Sequence, residues 1–142
     1  MAIVKGVNRT KLLDPSANNI LDPGAVSGRV RCITDTYTAV ILASDSAIYM
    51  GVTLPAGAIV IGGKVSYAAL GTPCPDLTIG DDGDSDRYLT ATQTSTAATV
   101  VFPNTVGGTN YTVTGTTDNI IKISLSASAS GAIKLETMYI VD

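Results

Sequence analysis

The sequence predicts a single all-β domain, of the β-sandwich or barrel type, that follows an extended N-terminal arm. Thr and Ser make up 30 of the 142 residues, while Glu occurs once, at Glu136. Thr favours strands and Glu favours helices, so this bias predicts strands. Seven or eight short strand-like runs are separated by turn signals about every ten residues, which is typical of a sandwich or barrel. A chain of this length supplies one core and not two.

The arm is predicted over residues 1–28. Its apolar residues occur in isolated pairs, with neither a helical nor a sustained strand period. Pro15 and Pro23 lie in turn signals and disfavour helix at the residue before each of them. We expect this segment to lie extended over a surface. The sequence leaves open whether that surface belongs to its own domain or to a neighbouring subunit.

The first half of the domain is predicted to hold three strands. The run 29–38 alternates in the strand period, and the short stretch 39–43 that follows fits either strand or a single helical turn. A strand is expected from Ala47, after an Asp-Ser turn, to near Leu54 and Pro55. The longer run 58–67 is interrupted by two glycines at 62–63, which predict a bulge or a sharp bend.

The middle of the domain is predicted to be less regular. A short strand at 77–79 leads into the acidic loop 81–86, which separates it from the next strand. Residues 90–99 are nearly all Thr, Ser and Ala, so they fit either an exposed strand or a loose loop. The apolar run 100–102 closes this part as a further strand.

The last part of the domain carries the clearest strand signals. Residues 111–114 are expected to lead into a hairpin turn at 117–119. Ile and Leu then alternate with Lys and Ser over 121–125, which is the pattern of a half-buried strand. A second alternating strand is predicted over 133–141. The domain as a whole is therefore assigned to 29–142.

Composition and charge exclude several functions. The sequence has no His, which removes mechanisms based on imidazole. It has no Trp and only 5% aromatic residues, which is a poor supply of stacking surfaces for bases or sugars. The net charge of −3 argues against nucleic acid as a partner. No apolar run is long enough to span a bilayer. We expect no cofactor, no membrane partner and no enzymatic activity.

The acidic loop is the sharpest local feature. Asp82, Asp84 and Asp86 occupy positions 1, 3 and 5 of a calcium-loop template, and clustered carboxylates suit a hard cation. The template then fails, because Arg87 replaces the required Gly and Gln93 stands where a Glu should close the loop. A solvated turn between strands is therefore favoured over a metal site.

The two cysteines give no sign of a catalytic or disulfide role. Cys32 and Cys74 are 42 positions apart and form no CxxC motif. A catalytic thiol would have no imidazole to activate it. We expect two buried free thiols.

Five stretches of the chain carry a family resemblance. They are Asn8–Gly24, Gly28–Arg31, Leu54–Ala58, Ile79–Leu89 and Tyr111–Thr117. This pattern resembles small virion proteins of tailed bacteriophages, of the capsid decoration (cement) type. The similarity covers most of the chain and lies in its general pattern, without a catalytic motif.

The resemblance implies a jelly-roll-like β-sandwich on the exterior of the capsid. It also implies a homo-oligomer, with a trimer favoured over a dimer, which bridges subunits of the major capsid protein after assembly in the bacterial host cytoplasm. No active-site residue is carried over. On this basis the apolar pairs of the arm are predicted to contact neighbouring subunits. They are Ile3, Val4, Leu12, Leu13, Ile20 and Leu21.

Two other classes of function remain open on the sequence. One is another virion component, such as a head fibre, neck or tail protein, or a host-surface binding module. The other is a carbohydrate-binding module or hydrolase, which would need an aromatic or carboxylate constellation that the sequence does not supply.

Overall fold

A computed structural model describes residues 29–42, 47–71 and 75–141, and eight β-strands form within these ranges. The strands are β1 Arg29–Leu42, β2 Ala47–Met50, β3 Ile59–Tyr67, β4 Asp76–Gly80, β5 Leu89–Gln93, β6 Ala98–Phe102, β7 Ile121–Leu125 and β8 Ala129–Val141. The predicted arm, 1–28, lies outside the described residues.

The strands form two four-stranded sheets. The first sheet has the order β1-β8-β3-β6 and the second has the order β2-β7-β4-β5. Every neighbouring pair is antiparallel. The prediction of an all-β fold is confirmed, and the two antiparallel sheets are consistent with a β-sandwich. No helix in the described part of the chain is long and apolar enough to cross a membrane.

Side chains from both sheets bury into one hydrophobic core. Strand β7 shows the cause, because Ile121, Ile123 and Leu125 are buried while the residues between them are partly exposed. Strand β8 repeats the alternation, with Ile133 and Leu135 buried on the same side. Burial of one such side chain contributes roughly 1.5–3 kcal/mol. The period of two along each strand thus places one row in the core and one row outside.

The glycine pair in β3 produces the expected irregularity. Val60 pairs with Tyr139 and Gly62 pairs with Met138, so Ile61 is the extra residue of a bulge. At Gly63, a Cβ atom would lie 2.5 Å from the Phe102 ring. The missing side chain therefore lets Phe102 pack directly on the backbone of β3.

Three segments left open by the sequence take a definite form. Residues 39–42 continue β1 as strand, with a register shift against β8, and are not a helical turn. The Thr-rich stretch 90–99 divides into most of β5, a turn and the start of β6. Residues 111–114 contribute only an isolated bridge, between Thr112 and Ile59, instead of a strand.

Candidate binding surface

Three loops meet at one end of the two sheets. They are 51–58, 81–88 and 103–120, and together they are called the loop end here. Backbone hydrogen bonds join them: Leu54 N donates to Asn119 O at 2.7 Å, and Asp82 N donates to Thr117 O at 3.0 Å. Arg29 pairs with Val141 at the start of β1. Both chain termini of the domain therefore lie at the loop end.

A buried ion pair organises the loop 81–88. The Asp81 carboxylate, which is fully buried, accepts hydrogen bonds from Gly83 N and Asp84 N, each at 2.9 Å. It also accepts the Arg87 Nε–H at 2.5 Å. Hydrogen bonding to Asp81 raises the pKa of Arg87 further above its usual value. The Arg87 guanidinium stacks 3.8 Å from the centre of the Tyr111 ring and so reaches the next loop.

A second buried carboxylate organises the loop 103–120. Asp118 Oδ2 accepts hydrogen bonds from Tyr111 Oη and Thr114 N, both at 2.7 Å. Its Oδ1 accepts bonds from Thr114 Oγ1 and Gly115 N, both at 2.9 Å. Burial by itself raises the pKa of Asp118, but these four hydrogen bonds outweigh it and hold the pKa well below its ordinary range. The bonds fold 111–118 into a turn, which explains why no strand forms there.

The three candidate metal ligands do not converge on one point. Asp82 is exposed and accepts hydrogen bonds from Tyr49 Oη at 2.8 Å and Lys122 Nζ at 3.1 Å, which lower its pKa. Asp84 Oδ1 accepts the backbone N–H of Asp86 at 3.4 Å, while hydrogen bonding and repulsion between these two side chains raise the pKa of Asp86. Among the described residues, no group of three or more His, Cys, Asp or Glu side chains is arranged to hold a metal ion.

The expectation of a fully solvated acidic loop is wrong at one position. Asp81 is buried because Arg87, six residues later, folds back and neutralises it. The loops 81–88 and 103–120 contain neither His nor Cys in their sequence. Their carboxylates Asp81 and Asp118 are occupied by hydrogen bonds within the loop end. This arrangement joins the loops through hydrogen bonds to two buried carboxylates.

The outward face of the first sheet carries an apolar patch near the loop end. It consists of Val30, Ile61, Val101 and Met138, which expose 59%, 43%, 70% and 40% of their surface. These four residues are called the outer patch. Residues directly opposite each other in antiparallel strands share a face, and Cys32, opposite Met138, is also exposed.

The outer patch changes character along the sheet. Val101 already lies directly opposite Lys64, and in this row Glu136 Oε2 lies 3.0 Å from Lys64 Nζ and Glu136 Oε1 lies 2.9 Å from Lys134 Nζ. The next row is small and polar, with the Ser66 and Thr99 hydroxyls 2.9 Å apart. The outer patch therefore borders charged side chains at Val101 and gives way to small polar side chains further along the sheet.

The outward face of the second sheet is polar by comparison. Thr78 pairs with Ser124, and Tyr49 pairs with Lys122, which in turn bonds to Asp82. These side chains are small or hydrogen-bonded, and the acidic loop borders them. The two outer faces of the molecule thus differ in chemistry: one presents apolar side chains at one end, and the other presents polar groups.

The predicted arm contacts and the cysteines have different outcomes. Ile3, Val4, Leu12, Leu13, Ile20 and Leu21 lie outside the described residues, as does Cys74. Cys32 is exposed, so the expectation that it is buried is wrong. Strand β1 is an edge strand in which both alternating rows mix polar and apolar residues. The row of Ile33 and Ala39 faces the core, and the row of Val30 and Cys32 faces outward.

Sequence reasoning missed the outer patch, because its four residues come from four different strands. In a sequence, a single valine or methionine within a predicted strand is normally interpreted as a core residue. The signal that could have located part of it is the phase of β8, where Leu135 and Ile133 belong to the inward row and Met138 to the outward row.

No protein-family model matches the chain, and no curated protein matches it. Solved structures do share its fold. A chain of the capsid asymmetric unit of cyanophage Pam1 superposes with a TM-score of 0.68 and 21% identity, over 82% of this chain and 88% of that chain. A chain of the capsid of Ralstonia phage GP4 superposes with a TM-score of 0.56 and 14% identity, over 82% of this chain and 86% of that one. At these identities, the similarity concerns the fold.

Proposed function

We propose that this chain is a structural protein of a bacteriophage virion, a decoration (cement) protein that binds the outside of the head and stabilises contacts between major capsid subunits. The observation that carries the proposal is the fold shared with the Pam1 capsid chain, at a TM-score of 0.68 over 82% of this chain. The second similar structure also comes from a phage capsid. The resemblance in the sequence to cement proteins supports the finer assignment.

We infer further that the fold is a jelly roll. Jelly rolls place eight strands in two sheets through two Greek keys. The order β1-β8-β3-β6 in one sheet and β2-β7-β4-β5 in the other fits this description, because each sheet draws its strands from both halves of the chain. The fold itself does not specify a function, so the role depends on the surface.

The two outer faces support a role in protein binding. An exposed apolar patch marks a contact surface, and the outer patch occupies one face while the opposite face is polar. The loop end holds its charged groups in internal hydrogen bonds, which supports a structural role over catalysis. The exposed free thiol of Cys32 is compatible with assembly in a reducing bacterial cytoplasm. We propose a homo-oligomer, with a trimer favoured over a dimer, in which the arm 1–28 contacts neighbouring subunits.

The test is the copy number of this chain in purified particles, measured by quantitative mass spectrometry against the most abundant shell protein. We expect one copy per shell subunit, or a simple fraction of that ratio. A few copies per particle would contradict the cement role and favour a neck, fibre or tail component. Absence from particles would overturn the virion assignment and favour a host-surface binding module.

A further inference from the structure

We propose that the outer patch of one copy binds an apolar pair from residues 1–28 of a second copy, so that copies are joined by exchanged arms. This inference rests on the proposed homo-oligomer. It adds the receiving surface, Val30, Ile61, Val101 and Met138, and commits to its occupant.

The patch is continuous across three strands of the sheet. Cys32, Met138 and Gly62 pair in one row across β1, β8 and β3. The Met138 methyl group lies over Gly62, 3.1 Å from where a Cβ atom of that glycine would be. Val101 on β6 lies directly opposite Lys64, whose Nζ is ion-paired with Glu136, so the apolar surface meets a charged pair on this side. An apolar surface shared by several strands is a site for a partner, whereas single exposed apolar residues are ordinary.

The position of the patch favours the N-terminal segment as its occupant. Val30 belongs to the patch and is the second residue of β1, so the chain enters the domain beside this surface. The strand direction at Arg29 points off the loop end, because Arg29 pairs with Val141 at the end of β8. An arm that continued in this direction would leave its own domain, which favours the patch of a second copy as its binding site.

The length of the segment also favours a second copy. An extended chain from Ile3 to Leu21 spans about 60 Å. The four-stranded sheet is about 14 Å wide, and a domain of this size has a radius of gyration of about 13 Å. The three apolar pairs of the arm therefore cannot all lie on the patch of their own domain.

Cys32 makes the proposal testable by disulfide trapping in the full-length chain. The variant Cys74→Ser leaves Cys32 as the only thiol, and Leu13→Cys or Leu21→Cys then adds one in the arm. A size-tagged and an untagged form are mixed, oxidised and separated without reductant. The expected main product is a dimer in which Cys32 of one chain is bonded to the arm cysteine of another chain, including mixed tagged–untagged dimers. A product confined to single chains would overturn the proposal in favour of the arm's own domain, and no product would overturn it altogether.

A matched control moves the receiving thiol to the second sheet. Cys32→Ser with Thr90→Cys places it at an exposed position of β5, and we expect little linked dimer. Equal trapping at both positions would overturn the proposal. Because Val101 is 70% exposed, Val101→Asp should leave thermal unfolding unchanged but lower the oligomeric state by light scattering. An unchanged oligomeric state of Val101→Asp would also contradict the proposal. These measurements use isolated protein, so they are independent of the copy number in particles.

Discussion

The carboxylate of Asp118 is expected to be the strongest single support of the loop end. Asp118→Asn keeps the size of the side chain but replaces one acceptor oxygen by an NH₂ group. That group would face two donors, either Tyr111 Oη and Thr114 N or Thr114 Oγ1 and Gly115 N. The hydroxyl on that side can turn and accept a hydrogen bond from the amide, but the backbone N–H of Thr114 or Gly115 cannot, so one of the four hydrogen bonds is lost whichever way the amide turns.

The magnitude follows from the number of bonds. Hydrogen bonds to a charged group contribute roughly 1.5–3 kcal/mol each, so the loss of one such bond costs about 1.5–3 kcal/mol. For a chain of this length, 1 kcal/mol corresponds to about 3 °C, so the melting temperature should fall by about 5–9 °C.

Chemical denaturation at pH 7 measures the free energy of unfolding, and Asp86→Asn is the matched control. Asp86 is exposed and loses the same charge, and the shared contact with Asp84 raises its pKa instead of lowering it. We expect the control to change stability by less than about 0.5 kcal/mol. If Asp118→Asn were as stable as Asp86→Asn, the account of the loop end would be refuted.

The pH dependence provides a second check with a fixed sign. The pKa of Asp118 is lower in the folded state than in the unfolded chain, where it is about 3.9. The unfolded state therefore binds more protons, and the stabilisation by Asp118 is present above this value and is lost as the pH falls below it. The gap in stability between the wild type and Asp118→Asn should narrow as the pH is lowered below about 4. A gap that stays constant or widens would contradict the assignment.

Two further substitutions test local packing by thermal unfolding. At Gly80 a Cβ atom would collide with the carbonyl oxygen of Asp84, so Gly80→Ala should lower the free energy of unfolding by about 1–3 kcal/mol. Gly107 has open space around it, so Gly107→Ala should cost much less. Equal effects would show that the loop 81–88 adapts and would contradict this account. The buried Tyr88 hydroxyl has no hydrogen-bond partner among the described residues, so Tyr88→Phe should keep or raise the free energy of unfolding. Tyr111→Phe removes the hydrogen bond to Asp118 and should lower the free energy of unfolding by about 1.5 kcal/mol. The reverse order would refute this comparison.

The strands were predictable where their two faces meet different surroundings. In β7 the alternation of Ile and Leu with Lys and Ser reports a core on one side and water on the other. In β1 the alternation located the strand over 29–38 but left 39–42 open, because an edge strand has exposed residues in both rows. Residues 111–114 show a different outcome. Their composition suits a strand, but Asp118 captures the backbone N–H groups of Thr114 and Gly115 and turns the chain.

The acidic loop was recognisable from the sequence, but its internal roles were not. Consecutive aspartates look equivalent in a sequence, and only the fold shows that Asp81 meets Arg87 while Asp82 meets Tyr49 and Lys122. The last two partners are 33 and 40 positions away along the chain. Local spacing carries no information about pairing at such separations. The outer patch was hidden for the same reason.

The energetics of the proposed arm exchange argue that it acts together with other contacts. Burying two apolar side chains, such as Ile20 and Leu21, contributes about 3–6 kcal/mol. Ordering the backbone costs about 1–2 kcal/mol per residue, so fixing four residues costs about 4–8 kcal/mol. The patch itself adds little to this cost, because it lies on paired strands. One arm on one patch is therefore close to break-even. Stable association requires several pairs to bind at once, or a common surface that holds the copies together and raises their effective concentration.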